Sequence, residues 1–382
     1  MSNHQYPIKK YPLLPYSQLV HDSTRWIPGV YSFSVTFEWD GGANERIPIE
    51  NAICQAISNH PVFSMKTDWR TRHYSMPLKD VLHGRYHDVN IYVKGDDLFV
   101  EVKFDRILGD GTSVAVIFED VVSAYYKRPL KLDDYWGYLD YVEQQKQTDH
   151  YRISRDWLIN EFADTSIPVR PNIDRHLCIL LPPKVGMFVS DYTDLHKKII
   201  LLAETKSLST DGFFSLCTAL AIAEYCGTDA AALTWAYEGR ERPEEQRIFG
   251  SLHRDVPFQI RKSRIENRES AIREARNQIR SGIAHSDYPY TLTKPYTKRW
   301  NYAVNVLRVP EIKDYMSLLP FPVQLKEVPE QKYAYALLDV EIHESETSLA
   351  LWYRYSATHY KETSIKKFAG LVRKYAEWMV ND

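Results

Sequence analysis

Apolar and polar residues fall in short blocks along this chain, and their period switches repeatedly between two and about 3.6 residues. Val30 to Glu38 (Val-Tyr-Ser-Phe-Ser-Val-Thr-Phe-Glu) alternates and predicts a half-buried strand. Ile49, Ala52, Ile53, Ala56 and Ile57 then recur at helical spacing between Pro48 and Asn59. His60-Pro61 closes that helix, because the residue before a proline is pushed out of the helical region. Val89 to Val93 and Leu98 to Phe104 predict two strands joined by the polar turn Lys94-Gly95-Asp96-Asp97. A helix is expected over Thr112 to Tyr126, with Val114, Ile117, Phe118, Val121, Val122 and Tyr125 on one face. Asp110, Thr112 and Ser113 are placed to cap its first amides.

The second half repeats this texture. Tyr138 to Phe162 predicts a long polar helix, and the proline-bearing stretch Thr165 to Asp174 a connector. Ile199 to Ala203 reads as a short strand, Asp211 to Cys226 as an apolar helix and Ala231 to Tyr237 as a strand. Arg264 to Ile283 reads as a charged helix whose interleaved Glu and Arg residues form a solvated, ion-paired face. Strands follow at Asn301 to Val309, Tyr335 to Ile342 and Leu349 to Tyr355, with a closing helix at Ser364 to Met379. The outcome is an α/β chain in two mixed halves, 1–165 and 166–382, long enough to bury substantial cores.

Composition removes several function classes. With 44% hydrophobic and 26% charged residues, the chain is an ordinary globular protein. A net charge of -2 supplies no basic field, so neither a nucleic acid nor a membrane surface is expected as partner. The cysteines, Cys54, Cys178, Cys217 and Cys226, are scattered and suggest neither a zinc knuckle nor a disulfide framework. Neither a signal-peptide pattern nor a bilayer-length apolar run is visible, so a cytoplasmic location is expected. Without a metal-ligand cluster or a glycine-rich phosphate loop, no bound cofactor is expected either.

The richest segment is Phe104 to Ser113, Phe-Asp-Arg-Ile-Leu-Gly-Asp-Gly-Thr-Ser, between a predicted strand and a predicted helix. It resembles the HHxxxDG active-site loop of non-ribosomal peptide synthetase condensation domains, with Asp105 and Arg106 at the histidine positions and Asp110-Gly111 in register. Further segments follow the same family in order. Tyr11 to Gln18 resembles its opening segment, His60-Pro61 its RHPxLR stretch and Tyr138 to Val142 its YxDYAxW motif. Gly239-Arg-Glu-Arg-Pro243 matches GRxRPE, Gly250 and Pro257 keep the spacing of GxFVNTLP, and His285 to Tyr290 is close to HQDYPF.

The resemblance implies two chloramphenicol-acetyltransferase-like lobes, each an α+β two-layer sandwich, in a V-shaped pseudodimer with a central tunnel. It implies peptidyl or acyl carrier proteins as partners, whose phosphopantetheine arms present small acyl and amine substrates. Asp105, Arg106, Asp110, Ser113 and His285 are the candidate catalytic residues; Gly109, Gly111, His253, Arg254 and Asn305 are candidates for the tunnel wall. Arg254 stands where the family has the asparagine of FVNT, and Ser64 where it has an arginine that pairs with the loop aspartate.

The departures set the chemistry. Arginine stays protonated and cannot serve as a general base. Arg106 can orient a carboxylate or stabilise an oxyanion, or it can lie between Asp105 and Asp110 and replace the salt bridge lost with Ser64. Asp110 is expected to shape the loop and cap the next helix, and Gly111 to provide a backbone conformation closed to side chains. His285 and His253 are the imidazoles that could substitute as bases. Three functions follow from the resemblance: a free-standing acyltransferase forming an amide by positioning, a catalytically silent domain recruiting a partner enzyme, or a heterocyclisation domain. The last is suggested by Asp105, Asp110 and Ser113 spelling DxxxxDxxS. The initiating Met1 and the lack of adenylation or carrier segments favour a free-standing protein.

Overall fold

The computed structural model describes residues 9–15, 17–18, 20, 32–68, 72–76, 78–175, 183–289, 303–309, 316, 323–327, 334 and 336–381. Its chain divides into two interleaved units. The first comprises Met1–Gln144, Glu238–His253 and Glu311–Glu330, and the second Gln145–Tyr237, Arg254–Pro310 and Gln331–Asp382. The sequence suggests one cut after residue 165; the contacts divide the chain after 144 and return two later segments to the first unit. Residues 1, 16, 30, 31, 178, 290, 301, 302 and 335, which are named or belong to segments named above, lie outside the described residues.

In the first unit, β1 (Tyr11–Pro12), β4 (Arg72–Ser75) and β3 (Met65–Thr67) form a small antiparallel sheet. A second antiparallel sheet runs β11 (Val323–Glu327), β2 (Ser32–Trp39), β6 (Asp97–Asp105), β5 (His87–Lys94). The β5–β6 hairpin is the predicted one, and Gly95 at φ +67° supplies its left-handed turn position. Helices α1 (Arg46–Asn59) and α2 (Gly111–Tyr125) pack against each other. Helix α3 (Tyr135–Gln145) follows them in the chain.

The long helix expected over Tyr138 to Phe162 is two helices, α3 and α4 (Asp149–Glu161). Thr148 breaks it: its backbone is extended (φ -82°, ψ 157°) and its hydroxyl caps the Tyr151 amide. The capping bond competes locally with helix continuation.

The second unit centres on a six-stranded sheet in the order β7 (Val185–Asp191), β13 (Leu349–Ser356), β12 (Leu338–Glu344), β10 (Asn305–Arg308), β8 (Ala230–Tyr237), β9 (Arg254–Arg261). β10 runs parallel to both of its neighbours, while the remaining pairs are antiparallel. Helix α6 (Thr210–Cys226) is buried from Gly212 to Ala223, so apolar residues face the core on every side. Ser209 caps its start and Gly227, left-handed, ends it. The segment expected as a strand, Ile199 to Ala203, lies inside helix α5 (His196–Lys206). Ile199 is fully buried while Leu201 is 61% exposed, so the apolar run wraps round a helix instead of filling a sheet. Helix α7 (Arg268–Ala284) starts at the Asn267 cap, later than the charge pattern suggests, and α8 (Glu362–Val380) closes the chain with Ile365, Phe368, Val372, Ala376 and Met379 buried.

Candidate active-site loop

Strand β6 ends at Asp105 and helix α2 begins at Gly111, so the candidate loop is a strand-to-helix connection inside the first unit. The Asp105 amide donates to the Tyr86 carbonyl at 2.7 Å, and its carboxylate accepts from the Ile107 amide at 2.9 Å, closing a turn. Ile107 and Leu108 are buried and anchor the loop. Gly109 has no room for a side chain: a Cβ there would lie 2.8 Å from both Phe249 Cε1 and Ser113 Cβ.

Asp110 is the hub. Its backbone is extended and its Oδ1 accepts from the Ser113 amide at 3.0 Å, while the Asp110 amide donates to Ser113 Oγ at 3.2 Å, a reciprocal cap on α2. Arg240 reaches the same carboxylate with both terminal nitrogens, Nη1 to Oδ2 at 2.9 Å and Nη2 to Oδ1 at 3.0 Å. The amides of Leu252 and His253 donate to Oδ2 at 2.9 and 3.1 Å. Burial alone would push this carboxyl up; the Arg240 guanidinium, with the donated hydrogen bonds, outweighs it and holds the group below the usual carboxylate range. Arg240 also donates to the carbonyls of Ile248 and Gly250, each at 3.2 Å.

This corrects two expectations. The cation that neutralises Asp110 is Arg240, from the Gly-Arg-Glu-Arg-Pro segment, so the bridge does not come from Arg106. Arg106 is half-buried, and its carbonyl accepts from Ser251 Oγ at 3.0 Å. Gly111 is the first residue of α2, and the positive-φ glycines among the described residues are Gly41, Gly95, Gly227 and Gly239. The steric requirement therefore sits at Gly109.

Ser113 is fully buried, and its hydroxyl is shared between Asp110 Oδ1 and the Gly250 carbonyl, both at 2.9 Å. Asp105, Arg106, Gly109, Asp110, Gly111, Ser113 and His253 thus lie together in the first unit. The other candidates belong to the second. Arg254, at the start of β9, donates to Ser286 Oγ at 2.8 Å. His285, at the end of α7, stacks on Trp157 with ring centroids 4.7 Å apart and lies 3.2 Å from Ser154 Oγ through Nδ1. Burial, reinforced by His150, pushes its pKa down, so its imidazole is neutral near pH 7. Asn305 opens β10 and accepts from Thr234 Oγ1 at 3.2 Å, a bond inside the sheet.

A second charged cluster, unanticipated from the sequence, clamps the same Arg240-bearing segment. His60 lies 2.6 Å from Asp133 through Nδ1 and 3.2 Å from Asp120 through Nε2, with all three side chains buried. Asp120 also pairs with Arg247, and Asp133 accepts from the Phe249 amide at 3.0 Å. Burial opposes a charge on His60, but the two aspartates outweigh it and raise its pKa. The sequence signals were a pair of carboxylates, Glu119 and Asp120, within a mostly apolar helix and an imidazole directly before a helix-ending proline.

No helix among the described residues is long and apolar enough to cross a membrane. The family model for the condensation domain matches residues 94–379. Among solved structures, the chain is similar to the epimerization domain from the third module of tyrocidine synthetase B, at 15% identity over 99% of each chain with a TM-score of 0.77. It is similar to the first condensation domain of the calcium-dependent antibiotic synthetase, at 14% identity over 98% of this chain and 97% of that one, TM-score 0.74. It also resembles the EpoB cyclization-docking bidomain from Sorangium cellulosum, at 12% identity over 100% of this chain and 88% of that one, TM-score 0.75. No curated protein sequence matches the chain significantly.

Proposed function

Because the chain belongs to the condensation-domain family of non-ribosomal peptide synthesis, we propose that it transfers an acyl group from a carrier-bound pantetheine thioester to an amine. One observation carries this reading. The loop is fully built around a buried, ionised Asp110, yet an arginine stands where the family places its base. A scaffold maintained in this detail without an imidazole at position 106 suits a reaction that depends on placement.

In the proposed step the lone pair of a neutral amine attacks the thioester carbonyl carbon. The C–N bond forms, the C–S bond breaks, and the pantetheine thiolate leaves and takes up the proton that the nitrogen gives up. An α-amine with a pKa of about 7.7 to 8.0 is partly neutral at pH 7. Orienting it against the thioester is worth roughly 7 to 11 kcal/mol. An alcohol acceptor needs a base in reach, which makes amines the matching substrates. Arg106, permanently charged, is suited to stabilising the oxyanion formed at the carbonyl. The step needs no cofactor beyond the pantetheine arms of peptidyl or acyl carrier partners.

Two of the three residues of the heterocyclisation pattern are consumed by architecture: Asp110 by Arg240 and two amides, Ser113 by Asp110 and Gly250. That weighs for a simple amide product. Intact-protein mass spectrometry of loaded carriers tests the reading. A deacylated donor and an acceptor heavier by the acyl group support it. A further loss of one water would indicate cyclisation, and two unchanged thioesters a silent, partner-recruiting domain.

A further inference from the structure

Within the second unit, two imidazoles and a carboxylate gather where the start of α4 meets the end of α7. His150 lies in the first turn of α4, His285 ends α7, and Asp287 follows two positions later. The rings of His150 and His285 stack with centroids 6.0 Å apart and planes 23° from parallel. His150 Nε2 is 3.8 Å from Asp287 Oδ1. No spacing motif announces this meeting, because α4 and His285 are brought together across 131 positions, the separation of Ser154 from His285.

Asp287 is the unusual member. Both of its carboxylate oxygens are shielded from solvent, and neither accepts a hydrogen bond among the described residues. A shielded carboxylate without donors is costly, and His150 at 3.8 Å is too distant to be one. His285, by contrast, is held in place. Its Nδ1 is 3.2 Å from the hydroxyl of the fully buried Ser154, and its ring stacks on Trp157. A partner on one ring nitrogen and a fixed ring plane leave Nε2 to coordinate, as outer partners do for metal-bound imidazoles. Burial and the neighbouring His150 keep the His285 imidazole neutral, the form that a metal takes.

We propose that His150, His285 and Asp287 bind a divalent transition-metal ion of the zinc type. Two imidazoles and one carboxylate suit zinc, cobalt and nickel, whereas calcium and magnesium prefer shells of oxygen ligands. Two ligands about 2.0 to 2.1 Å from a tetrahedral ion lie roughly 3.3 Å from each other. The 3.8 Å between His150 and Asp287 therefore has to close by about half an ångström. The three donors do not yet converge on one point, and the adjustment falls to His150, whose side chain is 55% exposed. Such an ion would neutralise Asp287 and tie the start of α4 to the end of α7.

Isothermal titration of the intact, chelator-treated chain with zinc chloride tests this, with cobalt(II) absorption as a second readout. Zinc is expected to bind saturably at about one equivalent, without competition from magnesium. His150→Ala and Asp287→Asn are each expected to weaken zinc binding about tenfold or more. His83→Ala, at an exposed imidazole in the first unit, should leave it unchanged. Bound cobalt should show intense visible bands that both site variants lose. The absence of saturable binding, a zinc affinity unchanged in either site variant, or an equal loss in His83→Ala overturns the proposal. His150 is exposed in the first turn of its helix, so His150→Ala carries the test even if Asp287→Asn fails to fold. Metal titration reads this site whether or not the chain forms amides.

Discussion

Arg240 grips Asp110 with two parallel hydrogen bonds of 2.9 and 3.0 Å, and the two side chains are 0% and 5% exposed. Fork-on-carboxylate geometry of this kind fixes orientation as well as charge. Removing one partner leaves the other charge buried and unpaired. Arg240→Met is therefore expected to cost about 3 to 5 kcal/mol, read as a lowered urea midpoint. Arg240→Lys should not restore it, because an ammonium cannot span both oxygens. A loss below about 1 kcal/mol would mean that Asp110 is not held as a carboxylate.

His60 makes stability depend on pH with a defined sign. Its folded pKa lies above the unfolded value of about 6.5 because Asp120 and Asp133 outweigh the burial that opposes its charge. Its contribution is thus fully present below about pH 6.5 and is lost as pH rises through the folded pKa. Urea midpoints measured from pH 6 to 9 should fall with rising pH in the wild type. In His60→Gln the slope over that window should flatten, with lower stability throughout.

Two glycines of the loop should separate cleanly. Gly109→Ala drives a methyl to 2.8 Å from Phe249 and Ser113, and should cost about 1 to 3 kcal/mol through overpacking. Gly111→Ala, at the first position of a helix and without a positive φ, should be tolerated within about 0.5 kcal/mol. Thermal unfolding of both variants checks the contrast. Equal losses would mean that the loop, not the contact at Gly109, is what the substitutions disturb.

The pH–rate profile should report the acceptor and not an imidazole. Amide formation is expected to rise with pH as the amine deprotonates near 7.7 to 8.0, with no inflection near 6.5. Arg106→His should add a limb near 6.5 and widen the acceptors toward alcohols, since it supplies the base they need. Single-turnover transfer from a loaded carrier at several pH values measures this. A wild-type limb near 6.5 would point to another histidine acting as base.

Much of the local structure was legible in the residues. The β5–β6 hairpin follows from alternation and a Gly95 turn, and helix α2 from a 3.6-residue apolar stripe behind a capping aspartate. Where the local pattern misled, a competing local interaction decided the matter. At Thr148 a hydroxyl cap divides an otherwise helical stretch, and at Ile199 a short apolar run fits either period until its neighbours bury one face.

The sequence by itself determined the family, the strands and helices on either side of the candidate loop, and the loop with Asp110 at the head of a helix, because local motifs and periods record these. Only the tertiary structure decided which cation meets Asp110, since Arg240 lies 130 residues away. The same holds for the His60, Asp120 and Asp133 cluster. Charge pairing depends on proximity in space and on burial, and a one-dimensional pattern of polar and apolar positions records neither.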